Sequence, residues 1–295
     1  MRSILILGVF ALVSISCNTN QESAEIIPSD VPLSGSSWSE AESDANGVLT
    51  AIYVPASGFA YTDSNGNLAG VVIDILDEFR QFVYEEYSVN VEIQYVEDEN
   101  WSRFYDRVVN ADDGVIGMGN VTITEARRSE LMFSPPYMTN IAALITHRGA
   151  PELTSVDEIS STFSGRAALA FEGTLHESRL IALLSKYYPD AGIETANSND
   201  EIVNRVAASD RYFAYIDIYN YWRATQGGLP LQRHEAADLS SEEFGYIMPL
   251  DTSWGEIIEE FFAADGGFLQ SDRYREIMET HLGEYLAGLL IEQHP

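Results

Sequence analysis

The sequence contains very little cysteine and lysine. Among its 295 residues there is one cysteine, Cys17, and Lys186 is the sole lysine. A lone cysteine cannot form a disulfide within one chain, so packing must stabilise the fold. Basic residues number 16 against 46 acidic ones, which gives a formal charge of -30. Such a negative surface repels nucleic acids and anionic lipid headgroups, and this argues against both as partners.

The excess of acidic residues also acts within the protein. Like charges on one surface repel one another, and dissolved salt screens this repulsion. We therefore expect a halophilic protein that works in a saline environment. An acidic protein from an ordinary habitat is the alternative.

The sequence also lacks the short motifs of common enzyme classes. It has no Gly-x-Ser-x-Gly elbow, no phosphate-binding glycine loop and no His-Glu-x-x-His segment. The five histidines are dispersed without the spacing of a metal site, and acidic residues are too numerous for one catalytic pair to stand out. We therefore predict no cofactor, no metal and no enzymatic activity.

Residues 1–17 have the pattern of a secretory signal peptide. Arg2 precedes an apolar run, Ile4 to Ile15, that is too short to span a bilayer comfortably. Small residues then lead to Cys17, and residues 14–17 resemble a lipobox, in which the cysteine is diacylated. We predict an exported protein, in the periplasm or at the cell surface, that is anchored to the membrane by lipid on Cys17. An uncleaved anchor and an ordinary signal with an incidental cysteine are the alternatives.

The segment that follows differs from the rest of the chain in composition. Residues 18–46 are rich in Ser, Glu, Asp and Asn and show little apolar periodicity. Such a segment cannot bury enough apolar surface to offset the entropy lost on ordering. We predict a flexible acidic tether over residues 18–46.

From residue 48 onwards, β-branched runs alternate with segments of helical periodicity. Residues 48–54, 90–96 and 115–118 have the pattern of strands, and helices are predicted from Val72 and from Trp101. This alternation predicts an α/β fold with mostly parallel strands.

The alternation begins again after about residue 150, which indicates two similar units. We predict lobe 1 over residues 47–146, lobe 2 over 147–243, and a return to lobe 1 over 244–295. Two segments, near residues 146–149 and 243–249, should cross between the lobes. The C-terminal helices, one of them over residues 271–290, should pack on lobe 1.

The most informative segment is residues 119–127, which is followed by Phe-Ser-Pro-Pro-Tyr at 133–137. It places Thr122 close to Arg127, just after a predicted strand. A guanidinium fork beside a hydroxyl suits a carboxylate, because two parallel charge-assisted hydrogen bonds fix its position and plane. The backbone carbonyl of Asn120 can accept from an ammonium. A surface ion pair is the alternative for Arg127.

Two further candidates follow strands of the second unit. Gly173 and Thr174 lie between a strand and a helix, where free N–H groups attract an anion. Asp217 follows a strand and lies among aromatic residues, where it can pair with an ammonium. Helix capping is the alternative for Thr174 and Asp217. Arg127 and Asp217 would present opposite charges to a zwitterion such as an α-amino acid.

Four other side chains are candidates for the ligand's surroundings. Phe59, Trp101 and Tyr137 are predicted aromatic walls, although aromatic residues more often belong to the core. Glu172 could contact a cationic side chain of the ligand. Because ligands of open α/β sheets bind at the carboxyl ends of strands, these groups should face a cleft between the lobes.

Together these segments resemble the extracellular solute-binding proteins of the amino-acid-binding type, ABC transporter substrate-binding family 3. The similarity runs from Val48 to Tyr285 and rests on residues 65–70 with Asp74, 122–127, 133–137, 173–174, Asp217 and 265–268. It implies a monomeric, two-lobed receptor that closes on a small ligand by hinge motion and delivers it to an ABC permease. It further implies that Arg127, Thr122 and Thr174 hold the α-carboxylate, and that Asp217 and the Asn120 carbonyl hold the α-ammonium.

The sequence departs from the family pattern near the first strand. Ala56 stands where the family usually has Tyr or Phe, and Gly58-Phe59 replaces Pro-Phe. One aromatic wall is therefore missing or supplied from elsewhere, and the ligand's identity stays open. A dehydratase of cyclic acids and a sensory lobe are the alternative functions for this scaffold.

Overall fold

The structure, a computed structural model, describes residues 31–291. The predicted signal peptide, Cys17 and the first part of the predicted tether lie outside these residues. None of the helices that the structure describes is both long and apolar enough to cross a bilayer.

Strands and helices alternate along most of the chain. The strands are β1 Asn46–Tyr53, β2 Tyr61–Thr62, β3 Leu68–Ala69, β4 Asn90–Glu97, β5 Val115–Thr122, β6 Leu131–Phe133, β7 Met138–His147, β8 Ala167–Phe171, β9 Ile193–Ala196, β10 Tyr212–Asp217, β11 Leu231–Arg233 and β12 Leu239–Pro249. The helices are α1 Trp38–Asp44, α2 Val71–Tyr87, α3 Trp101–Val109, α4 Glu125–Arg128, α5 Ile159–Thr162, α6 Leu175–Tyr187, α7 Asn199–Ala208, α8 Ile218–Gln226, α9 Gly255–Ala263, α10 Asp272–Leu282 and α11 Glu284–Ile291.

The main sheet has two parallel halves joined by antiparallel strands. Its order is β4-β1-β5-β12-β7-β10-β8-β9, with β6 and β11 at its margins. β1 runs parallel to β4 and β5, and β8 runs parallel to β9 and β10. Between them, β12 and β7 pair antiparallel. The predicted α/β class, with two units and two connecting segments, is confirmed.

The strand pairing shows where the chain passes between the two halves. β7 pairs with β12 over residues 138–142 and with β10 over residues 142–146. At the centre of the crossing, Asn140 lies opposite Glu242. Both crossings thus lie earlier in the sequence than the predicted positions near 146–149 and 243–249. The sequence does not reveal this change of partner, because β7 is buried in both halves and its apolar run continues through the crossing.

The end of the predicted tether is ordered and packed, contrary to expectation. Leu33 is buried in the core of the first half. Ser37 and Glu40 form a reciprocal capping box at the start of α1. Trp38 packs edge-on against Trp254, with ring centroids 5.1 Å apart. The Ser and Glu residues that suggested disorder therefore stabilise a helix start, and no tether extends to residue 46.

The C-terminal part also differs in one detail from its prediction. The single helix expected over residues 271–290 is interrupted at Gly283, whose φ of 82° is left-handed and suits glycine. The first of the two resulting helices, α10, contacts α2, and Tyr274 Oη donates to the backbone oxygen of Tyr137 at 2.7 Å. The helix α10 therefore packs on the first half of the sheet, whereas Tyr285 of α11 stacks on Trp222 of α8 in the second half, with ring centroids 4.2 Å apart.

Candidate functional site

A cleft of about 540 Å³ lies where the two halves of the sheet face each other. Its volume falls within the roughly 300–1,000 Å³ typical of small-molecule sites. The first half supplies lining residues from 54–62, 99–101 and 119–127, and the second half from 171–176, 197–200 and 217–223. The structure brings six of the candidate residues together in this lining: Trp101, Asn120, Thr122, Arg127, Thr174 and Asp217.

Arg127 lies in the wall formed by the first half. Thr124 caps the short helix α4, and its hydroxyl accepts from the Arg127 backbone N–H at 3.2 Å. The guanidinium donates through Nη1 to the Thr122 backbone oxygen at 2.9 Å and lies over the Trp101 ring, 5.2 Å from its centroid. No carboxylate within residues 31–291 forms an ion pair with it.

The surroundings of this guanidinium favour an anion as its partner. Arg127 is half-buried, and this partial loss of hydration lowers the pKa of its guanidinium. A desolvated cation without a counter-ion attracts a carboxylate more strongly than an exposed one does, because little water screens the charge. Arg127 can therefore bind a carboxylate that enters the cleft.

Asn120 is held between two tyrosines in a left-handed backbone conformation, with φ of 51°. Its Oδ1 accepts from Tyr137 Oη at 2.8 Å, and its Nδ2 donates to Tyr219 Oη at 3.0 Å. A non-glycine residue pays for this conformation with backbone strain, which the two hydrogen bonds offset. The contact joins the first half of the sheet to α8 of the second.

Two of the predicted aromatic walls have other positions. Phe59 is buried and packs on Tyr219, with ring centroids 4.4 Å apart. Tyr137 is fully buried behind Asn120. Neither is part of the cleft lining, whereas Trp101 is. Burial removes Phe59 and Tyr137 from contact with solvent, so they support lining residues instead of touching a solute.

The helix start at residues 173–174 is largely satisfied by the protein itself. The Gly173 N–H donates to a carboxylate oxygen of Glu177 at 2.8 Å, and Gly173 is not in the lining. Thr174 lines the cleft, but its hydroxyl donates to the Phe171 oxygen at 2.8 Å and caps α6. Glu172 is exposed and outside the lining, so the structure does not direct it at a ligand.

Asp217 belongs to a buried polar network at the base of the cleft. Its carboxylate does not cap α8. Instead Oδ1 accepts from Asn140 Nδ2 at 2.7 Å and lies 3.0 Å from His176 Nε2. Asn140 Nδ2 also donates to Glu242 at 2.9 Å, and Glu242 pairs with Arg179. The network therefore connects the cleft to both crossing strands.

Four buried polar atoms of the lining make no hydrogen bond to any residue that the structure describes. They are His176 Nδ1, Asn199 Oδ1, Asn220 Nδ2 and Arg223 Nη1. Each is a donor or acceptor at the cleft wall, and leaving such an atom unpaired beneath a bound solute costs about 1–3 kcal/mol. A solute with complementary groups would avoid that cost.

Comparison with known proteins agrees with this architecture. Residues 49–284 match the family of bacterial extracellular solute-binding proteins, family 3. The chain belongs to this family. The predicted resemblance is confirmed, as is the expectation of a protein that binds solutes for transport and is not an enzyme. Comparison with curated protein sequences gives no match.

Several solved structures share the fold of this solute-binding protein. A mutant of ArgBP from T. maritima is 17% identical, with a TM-score of 0.64 over 82% of this chain and 97% of that one. ArtJ from Geobacillus stearothermophilus, an arginine-, lysine- and histidine-binding protein, is 18% identical, with a TM-score of 0.62 over 80% and 95%. An ABC uptake substrate-binding protein from Streptococcus pneumoniae with bound histidine is 20% identical, with a TM-score of 0.62 over 84% and 96%.

Proposed function

We propose that this solute-binding protein captures an α-amino acid and delivers it to an ABC permease. One observation carries the proposal: Arg127, a half-buried cation that forms no ion pair with any carboxylate of residues 31–291, shares a cleft with the carboxylate of Asp217. Opposite charges in one cleft suit a zwitterion, because each end of the ligand meets its complement.

The roles of the remaining groups follow from their positions in the lining. Arg127 and the Thr122 hydroxyl hold the α-carboxylate, while Thr174 on the other wall keeps its hydroxyl bonded to Phe171 and caps α6. The Asp217 oxygen that is not hydrogen-bonded to Asn140 or His176 holds the α-ammonium, together with the Asn120 carbonyl. Trp101 covers the ligand from the first half of the sheet.

Ligand capture would couple to a movement of the two halves about β7 and β12. These strands are the covalent crossings that the pairing identifies. A ligand that touches both walls binds the closed arrangement better than the open one, and this differential affinity favours closure.

The fold neighbours support an amino acid as the ligand class. The protein from Streptococcus pneumoniae was solved with histidine, and ArtJ binds arginine, lysine and histidine. Extending this class to the present chain is part of the proposal, as are the lipid anchor on Cys17 and the monomeric state.

The test is a substitution of Arg127 with a neighbouring arginine as its control. Calorimetry with the common amino acids should show at least a hundredfold loss of affinity in Arg127→Ala, because a buried charge-assisted pair is worth several kcal/mol. Arg128→Ala should bind normally, since Arg128 lies over the Phe133 ring and outside the lining. Unchanged affinity in Arg127→Ala would refute the proposal.

A further inference from the structure

We infer that Asn199, Asn220 and Arg223 form a subsite for a ligand side chain that ends in a primary amide, as in glutamine or asparagine. The inference rests on the proposed function, because Arg127 and Asp217 must first hold the α-carboxylate and α-ammonium. It adds the part of the cleft that distinguishes one amino acid from another.

The three residues occupy the wall formed by the second half of the sheet. Asn220 and Arg223 lie three and six residues after Asp217, so α8 presents them in line from the base of the cleft outwards. Asn199 begins α7, which packs against α8. Asn220 is 3% exposed, and all three residues line the cleft.

The hydrogen bonds already present leave a defined set of groups for a ligand. Asn220 Oδ1 accepts from Arg223 Nη2 at 3.4 Å, and Asn220 Nδ2, which lies near the Tyr219 hydroxyl, keeps an N–H to donate to a ligand. Arg223 Nη2 also donates to Asp200 at 2.9 Å, which leaves Nη1 as a second donor. Asn199 Oδ1 is an acceptor without a donor.

Two donors and one acceptor match a primary amide. Its oxygen can accept two hydrogen bonds, and its nitrogen donates. A carboxylate side chain offers acceptors alone and would leave Asn199 Oδ1 unpaired. A cationic side chain offers donors alone and would leave Asn220 Nδ2 and Arg223 Nη1 unpaired.

The charges of this wall favour the same choice. Arg223 forms an ion pair with Asp200, so its charge is already compensated before a ligand enters. A second carboxylate would compete with Asp200 for Arg223, and a cation would compete with Arg223 for Asp200. Glu99, also in the lining, is exposed, and solvent screens its charge. A neutral side chain with both a donor and an acceptor therefore fits best.

The experiment measures affinity for glutamine, asparagine, glutamate, arginine and methionine by calorimetry. In the unmodified protein, glutamine or asparagine should bind at least about tenfold more tightly than methionine, which has no amide. Asn220→Ala and Arg223→Met should each weaken amide binding by about tenfold and leave methionine binding unchanged. Asn204→Ala and Arg211→Met are the controls, because both residues lie in the same half, are exposed and are outside the lining.

The outcomes separate this inference from the proposed function. Arg127-dependent binding with glutamate or arginine preferred over both amides would overturn the inference and leave the proposed function standing. An equal loss of glutamine and methionine binding in Asn220→Ala and Arg223→Met would also overturn it, since that pattern indicates a structural role. If no amino acid binds, both fall.

Discussion

At the base of the cleft, polar and charged side chains bond to partners that lie far away in the sequence. Asn140 bonds to Asp217 across 77 residues and to Glu242 across 102 residues. Arg179 and Glu242 complete the network, with exposed side-chain fractions of 20% and 3%. Burial lowers the pKa of Arg179, and the nearby Asp217 opposes that shift. The position of Asp217 is therefore fixed by an ion pair that need not touch the ligand.

Removing one member of that ion pair should be far more damaging than removing both. Arg179→Met leaves the Glu242 carboxylate buried without its cation, so we expect a loss of about 3–5 kcal/mol in the free energy of unfolding. The double variant Arg179→Met, Glu242→Gln removes both charges and should recover most of it. Urea denaturation of the single and double variants measures this. Equal stability of Arg179→Met and the unmodified protein would show that the pair has no such role.

Some of these residues can be predicted from the sequence, and others cannot because only tertiary packing brings them to the cleft. Thr122 and Asp217 are the last residues of their strands and Arg127 follows β5 closely, and strand ends can be located from the sequence pattern. Asn140, His176 and Glu242 lie within regular elements. Only the register of β7 against β12, and the packing of α6, brings them to the cleft, and local sequence contains neither.

At the scale of elements, β7 is also anchored at its far end, in the second half of the sheet. There His234 is buried, and it contacts both β7 and the segment that contains Leu153. Its Nδ1 accepts from the Leu153 N–H at 3.1 Å, and its Nε2 lies 2.8 Å from the Thr146 hydroxyl. A ring nitrogen that accepts carries no proton, so the fold holds this imidazole neutral. Burial lowers the pKa of His234 to about 4.

This histidine should make stability depend on pH in the acidic range. Its folded-state pKa lies below the ordinary 6.5, so the unfolded chain binds the proton more readily. Its contribution is complete above about pH 6.5 and is lost as the pH falls towards 4, by on the order of 3 kcal/mol. Denaturation across this range, with His234→Gln as the comparison, measures the effect. An identical slope in the variant would assign the acid sensitivity to other groups.

Most elements could be predicted from apolar periodicity, but their ends depend on tertiary contacts. α2 and α3 carry clear apolar faces, and both helices are where the sequence places them. The ordered segment 33–45 has few apolar residues, and two of these, Leu33 and Trp38, pack on residues that lie far away in the sequence. For this reason composition alone predicts a flexible tether here, whereas the structure shows a packed segment.

For the whole molecule, the dominant property is an excess of negative charge that the folded protein does not compensate with ion pairs. The formal charge of -30 is spread over one chain, and most ion pairs in the described part involve arginines on the surface or in the second half of the sheet. Exposed pairs of this kind contribute about 0–1 kcal/mol each. They cannot offset the repulsion among the remaining carboxylates.

Added salt should therefore stabilise this protein. Raising NaCl from 0.1 to 1 M shortens the screening length from about 10 Å to about 3 Å, which weakens repulsion between carboxylates. We expect the melting temperature to rise by several degrees. KCl should give nearly the same increase as NaCl, since screening does not depend on which monovalent cation is present. A melting temperature that falls with salt would contradict both this expectation and the predicted saline habitat.

The packed N-terminal segment also bears on how the receptor would sit at a membrane. Because Leu33 and Trp38 are fastened to the first half of the sheet, a lipid on Cys17 would suspend the molecule by that half alone. The 15 residues from Cys17 to Val31 make 14 Cα–Cα steps, which can span at most about 50 Å when fully extended. The second half would then reach the membrane only through its contacts with the first half, such as the hydrogen bond between Asn120 and Tyr219.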